Sequence, residues 1–330
     1  MSSSGTLEGG KQGSLSPVTR FVLNYGIFLV FVFLVILMSI LSPVFLTVRN
    51  LSNVLLQTAA IGIIAVGTTF VIIGRNIDVS MGSVVALASA IAVTAMKANA
   101  QPWYIGLILF FVVGGGVGLI NGLSIAYLKM PSFLVTLAMM MMGRGMVLTL
   151  SGGKSYYDLP EFYRVLGSGS VGPIPIIIVI VVVTFVVGHL ILSNTVFGRK
   201  VYAVGSNPDA AEVSGINVKR IVVATLVLNG LFASLSSLVL TSRLNSFAPS
   251  MGTGYEFSAI ASVIIGGTSL YGGEGRIVGT LIGALIIGVV NNALNLLGVS
   301  PLFQEVARGG IIYLAVLIDS VRSRYAAALD

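Results

Sequence analysis

Long uninterrupted apolar runs, parted by short polar joints, set the pattern of this chain. Ten stand out, at about 23–42, 54–73, 83–100, 103–126, 132–150, 173–192, 220–241, 255–270, 277–297 and 303–319. A helix crosses the hydrocarbon of a bilayer in about 20 residues, whereas barrel strands alternate over about ten. The pattern therefore predicts an all-α membrane protein of ten transmembrane helices in two five-helix halves. The third and eighth runs are the weakest, being short, rich in small residues and broken by glycine. Pro43, Pro102, Pro131, Pro173 and Pro301 fall at the joints, where a missing N–H costs little.

Composition agrees. Of 330 residues, 56% are hydrophobic and only 9% charged, against about a quarter charged in soluble domains. The net charge of +7 reads as cationic inner loops, not as a nucleic-acid surface. With the N-terminus inside, one side collects Lys11, Arg20, Arg75, Lys129, Arg199, Lys200, Lys219, Arg220, Arg276, Arg322 and Arg324. The other collects Arg49, Lys97, Lys154, Arg164 and Arg243, so both termini are expected in the cytoplasm. Residues 1–20 read as a disordered cytoplasmic tail, 21–320 as the membrane domain and 321–330 as a second cytoplasmic tail. Cysteine is absent, and His189 has no cluster of partner ligands, so no metal site is expected. The 151–172 loop, with its tyrosines and charges, falls outside; it reads equally as a docking surface and as a solvated loop.

The chain also carries a faint internal repeat. A shift of 170 residues aligns Ser80-Met81-Gly82 with Ser250-Met251-Gly252, Asn121 with Asn291, Pro131 with Pro301 and Phe133 with Phe303. Halves with an odd number of spans must run in opposite senses, the inverted repeat that puts a solute path near its axis. The two Ser-Met-Gly turns are then expected at opposite ends of that path. Each turn fits a gate or hinge, and equally a plain helix start with a permissive glycine. Glycines such as Gly114, Gly118, Gly279 and Gly283 read as close helix packing, and Met139–Met142 as adaptable core.

Reactive chemistry is missing. Ser151-Gly152-Gly153-Lys154-Ser155 mimics the end of a phosphate loop, but position 148 is leucine where the motif needs glycine. No triad, carboxylate pair or metal cluster appears, so the chain does not read as an enzyme. Asp78, Glu256 and Glu274 lie at the edges of runs, which leaves no ionisable chain for ion-coupled transport. Energy for uphill transport must then come from another polypeptide. The polar connector 193–219 is where such a partner would dock. Within it, Asn207 is placed to cap a short helix with Pro208 at its first position, Asp209 in its first turn and Gly215 ending it. The other reading of this stretch is a solvated amphipathic linker. A self-contained secondary transporter or facilitator for a small polar solute is the alternative for the chain as a whole.

Longer ordered blocks run along the chain, among them Ile77-Asp78-Val79-Ser80-Met81-Gly82-Ser83, Gly143-Arg144-Gly145 and Ala210-Ala211-x-x-Ser214-Gly215-Ile216-Asn217-Val218. Further on come Gly252-Thr253-Gly254-Tyr255-Glu256, Gly272-Gly273-x-Gly275-Arg276 and Asn291-Asn292-x-Leu294-Asn295. Through these blocks the sequence from about 45 to 320 resembles the permease subunits of the ribose-type family of bacterial ABC sugar importers. The resemblance implies a homodimer in the bacterial cytoplasmic membrane, two cytoplasmic ABC ATPase domains holding ATP and Mg, and a periplasmic or lipid-anchored sugar-binding protein. This chain would itself bind no cofactor and would pass a monosaccharide. The stretch Asn207, Pro208, Asp209, Ala210, Ala211, Glu212, Ser214, Gly215 and Ile216 matches the family's ATPase-coupling segment. Asp78, Ser80, Met81, Gly82, Asn121, Ser250, Met251, Gly252 and Asn291 are the candidates for gate or path. Arg75 departs from the uncharged approach to the aspartate that is usual in the family.

Overall fold

In lipid an unpaired backbone amide costs several kcal/mol, so an apolar run must close its hydrogen bonds within itself. A helix covers each of the ten apolar runs. The computed structural model describes residues 17–97 and 99–327. The helices are α1 (Pro17–Leu41), α2 (Val48–Ile73), α3 (Met81–Lys97), α4 (Trp103–Ala126), α5 (Ser132–Ser151), α6 (Glu161–Ser168), α7 (Ile176–Asn194), α8 (Val196–Ser206), α9 (Pro208–Val213), α10 (Val218–Leu244), α11 (Tyr255–Ile265), α12 (Ile277–Leu296) and α13 (Pro301–Ala327). Among the described residues six of them, α2, α4, α5, α7, α10 and α12, are long and apolar enough to cross a membrane. Residues 1–16 and 328–330 of the expected tails lie outside the described residues, while 17–20 begin α1 and 321–327 end α13.

The eighth run differs from expectation in length. Helix α11 has 11 residues, about 16 Å at 1.5 Å per residue, roughly half the hydrocarbon thickness. Both α3 and α11 start inside the bundle, each after an extended turn that re-enters it. Helix α2 is buried along most of its length. It packs on α12 as α10 packs on α4; α3 lies on α4 and α5 as α11 lies on α12 and α13; α2 touches α11 as α10 touches α3.

Glycine makes the tightest of these crossings. A Cβ on Gly114 would strike the Gly230 carbonyl, one on Gly230 the Gly114 carbonyl, and one on Gly118 the Leu226 carbonyl, so α4 and α10 meet backbone to backbone. Gly279 and Gly283 do the same for α12 against Gly266 and Ser262 beside α11. The close-packing reading of these glycines holds. That of the methionines holds in part: Met139 packs against the core, whereas Met141 and Met142 are 68% and 54% exposed on α5.

The connectors gather at two ends. At one, strand β1 (Tyr156–Tyr157) pairs antiparallel with β4 (Ser246–Phe247), while β2 (Ser170–Val171) pairs with β3 (Ile174–Pro175). Here Lys97 Nζ donates to the Asp158 carbonyl at 2.7 Å and the buried Tyr163 hydroxyl to the Trp103 carbonyl at 2.9 Å. Burial pushes the Tyr163 phenol above its ordinary range. The 151–172 segment is thus a folded cap on the helix ends. At the opposite end α8 lies on the last turn of α2 and on the 266–276 loop.

Candidate functional site

Two places concentrate polar chemistry: a junction inside the bundle and a small helix at one end. At the junction the chain leaves α2 at Ile73 and runs extended through Ile77–Ser80 before α3 begins. An unwound backbone at that depth needs partners, and α5 supplies them. Ser132 Oγ accepts the Ile77 amide at 3.2 Å, and Thr136 Oγ1 accepts the Val79 amide at 3.2 Å. Asp78, 1% exposed, ends the turn. Its Oδ1 accepts the Ser80 amide at 2.9 Å and the Ser80 hydroxyl at 2.6 Å, while Oδ2 accepts Asn229 Nδ2 of α10 at 3.1 Å. Asn121 Nδ2 of α4 donates to Ser80 Oγ at 3.1 Å. Three donors satisfy the carboxylate, which also faces the positive end of α3. The cluster ties the first re-entrant turn to α4 and α10.

The second turn, 245–254, reaches the same depth from the other end. The two Ser-Met-Gly turns, expected at opposite ends of a path, instead lie against each other. A Cβ on Gly82 would overlap Glu256 Oε2 and the Gly252 carbonyl, and one on Gly252 would sit 2.7 Å from the Gly82 carbonyl. The physical reason is where the helices begin: α3 and α11 both start among buried residues, so their first turns meet there. Gly252 has φ +66°, a conformation that glycine adopts without strain. Arg144 of α5 donates from Nη1 to the Met251 carbonyl at 2.8 Å. Ser83 Oγ lies 2.8 Å from the position of a Cβ on Gly143.

Asp78 and Glu256, read from sequence as edge residues, are therefore interior ones. Asn121 joins the Asp78 cluster, but Asn291 does not; it lines a small pocket with Ser258, Ala261 and Ile287. Its neighbour Asn292 is the buried one, exchanging two amide hydrogen bonds with Asn50 of α2 at 2.9 and 3.0 Å. Ser250 lies in the turn before Met251, which is itself 7% exposed. Arg144 and Asn292 entered the sequence reading only as members of matching blocks, without a site role, and Asn229 did not enter it. An asparagine at position 229 inside an apolar run of α10 was the available signal.

At the polar end, the connector folds as two helices where one was expected. Thr195 Oγ1 caps α8 by accepting the Gly198 amide at 3.1 Å. Val201 and Val204 are buried beneath α8, Tyr202 hydroxyl donates to the Gly275 carbonyl at 2.7 Å, and Gly273 N–H donates to the Ile73 carbonyl at 2.9 Å. Burial raises the Tyr202 phenol pKa. Asn207 Oδ1 then caps α9 through the Ala210 amide at 3.0 Å, Pro208 takes the first turn, and Gly215 turns the chain at φ +81°. The hydrogen bonds Ser214 to Ala210, Gly215 to Glu212 and Ile216 to Ala211 close its end. Ala211 is buried, Asp209 and Glu212 are exposed, and Val213 is 90% exposed at the tip.

Among the described residues no group of three His, Cys, Asp or Glu could hold a metal. Exposed His189 borders a groove with Tyr202, Glu274 and Arg276.

Residues 50–316 match a family described as branched-chain amino acid transport system / permease component. The chain is 45% identical to the ribose import permease protein RbsC of Bacillus subtilis, over 90% of this chain and 93% of that one. It is 41% identical to the protein of the same name in Haemophilus influenzae (92% and 95%) and 35% to the D-allose transport system permease protein AlsC of Escherichia coli (91% and 93%). No solved structure matches it significantly. A match over most of both lengths, through the blocks that form the junction and the capped helix, leaves one conclusion: the chain belongs to this permease family, among its ribose-type members.

Proposed function

We propose that this chain is the membrane permease subunit of an ATP-driven importer, passing a monosaccharide handed over by an extracytoplasmic binding protein. The observation that carries the reading is α9: a capped helix whose Ala211 is buried while Val213, next to Glu212, stands exposed at its tip. An almost fully exposed valine on a fixed helix fits a socket on a partner. Movement there has a rigid route inward. Helix α8 packs on Ile73, Ile73 opens the turn to Asp78, and Asp78 holds the start of α3 at the junction. Contiguous packed elements of this kind can carry coupling. The family's description names amino acids while the relatives are named for ribose and allose, so the cargo rests on the relatives.

The finer architecture belongs to the same proposal: ten spans, an inverted repeat, a homodimer and α9 in the cytoplasm with both termini. Several features support the repeat. Helices α2 and α10 start 170 residues apart, and each is followed by a left-handed residue, Arg75 (φ 63°) and Asn245 (φ 47°), again 170 apart. Lys129 (φ 55°) and Gly298 (φ 69°) precede α5 and α13 by three residues each. The exchanged contacts of α2 with α12 and α10 with α4 fit a two-fold axis in the membrane plane. In the turn after α2, Arg75 departs from the family without changing the turn's backbone class, since Asn245 matches it.

The test is sugar-stimulated ATP hydrolysis by the assembled transporter in proteoliposomes. Gly215→Pro cannot adopt φ +81°, and Asp209→Lys inverts the charge at the α9 N-terminus. Both are expected to insert normally and to lower stimulated turnover about tenfold. Normal turnover in both would remove α9 as the coupling point. Uphill uptake that needs a proton gradient and no ATPase would favour the secondary transporter instead.

A further inference from the structure

Arg144 lies on α5 where its buried face, Gly143 and Val147, meets its exposed one, Met141, Gly145 and Met146. A guanidinium half-way along a spanning helix is costly against lipid tails, so this edge of α5 faces protein or water. Its Nη1 is bound to the Met251 carbonyl, while Nη2 is buried without a hydrogen-bond partner. Across the junction Glu256, 5% exposed, turns Oε2 toward the first turn of α3 beside Gly82, and that oxygen also has no partner. The two charges attract each other without sharing a hydrogen bond through these atoms.

What satisfies both atoms must accept from Nη2 and donate to Oε2. A cation serves only the carboxylate, an anion only the guanidinium, and an apolar solute neither. A hydroxyl does both at once, as a water molecule does, and a sugar ring carries several hydroxyls side by side that can take the place of such waters. We propose that Arg144 and Glu256 form a sugar-hydroxyl contact on the solute path, at the level where the two re-entrant turns meet. The contact rests on the permease reading above and adds to it a defined polar station for the sugar. Arg144 Nη2 and Glu256 Oε2 are both buried in this conformation, so the sugar reaches them as the junction opens.

The experiment measures sugar moved per ATP hydrolysed by the full transporter with its binding protein, using radiolabelled D-ribose and D-allose. Arg144→Gln and Glu256→Gln are each expected to lower that ratio about tenfold, the worth of one charge-assisted hydrogen bond. The double variant should fall no further than the worse single one, and Arg144→Lys should recover part of the loss. An unchanged ratio in both single variants overturns the inference. So does a parallel fall in sugar flux, ATP turnover and melting temperature, which would make the pair a structural brace. If the unmodified transporter moves neither sugar with ATP, the permease reading itself fails, and the contact with it.

Discussion

At the scale of single residues the junction is governed by what is missing at Gly82. A side chain there would fall on Glu256 and on the Gly252 carbonyl, and backbone cannot yield as a flexible side chain can. Gly82→Ala is therefore expected to destabilise the protein by about 1–3 kcal/mol, read as a lower unfolding midpoint in detergent. Gly145→Ala, where a Cβ meets nothing within 4 Å, should leave the midpoint unchanged. Equal midpoints would mean that the two turns do not press on each other. Half of this site was legible beforehand. The Ser-Met-Gly repeats, Asp78 and Asn121 announced themselves as motifs, but Asn229 did not, because it lies 151 positions from Asp78 and no local pattern links the two. The depth of Asp78 and Glu256 was misjudged for a related reason: a run of apolar residues shows how long a helix could be, not where packing lets it begin.

Elements were easier to read than contacts, with the connector as the instructive exception. The α9 helix follows from residue chemistry alone, since Asn, Pro, Asp and a later Gly each suit only one part of a short helix. Helix α8 was not foreseen because its sequence, Val196–Ser206, mixes charges and glycines, and its stability comes from Val201 and Val204 settling on the end of α2. Tertiary packing overrode a weak local preference. Asn207→Ala removes the side-chain cap from the Ala210 amide and should cost about 1 kcal/mol locally. Hydrogen exchange should then speed up about fivefold at the α9 amides, with α8 protected as before. Faster exchange across both helices would show them to be one cooperative unit, and no change would mean that packing of Ala211 alone holds α9.

For the whole molecule, sequence hydropathy decided the class and charge asymmetry proposed its sidedness, and the packing makes that sidedness testable. Lys97, Asp158, Tyr163 and Asn245 are joined at one end, and Ile73, Tyr202, Gly205 and Gly273 at the other. These contacts gather connectors into two groups, and the group holding α9 carries Arg199, Lys200, Lys219 and Arg220. A chain without cysteine lets a single introduced thiol report each layer. Tyr157, 65% exposed in β1, and Ser214, exposed at the end of α9, are suitable positions. In right-side-out vesicles a membrane-impermeant maleimide should label Tyr157→Cys at once and Ser214→Cys only after permeabilisation. Labelling in the reverse order would put α9 outside, beyond the reach of any cytoplasmic ATPase. The coupling proposal would then be lost, while the junction where α3 and α11 begin would stand, because its geometry is the same from either side of the membrane.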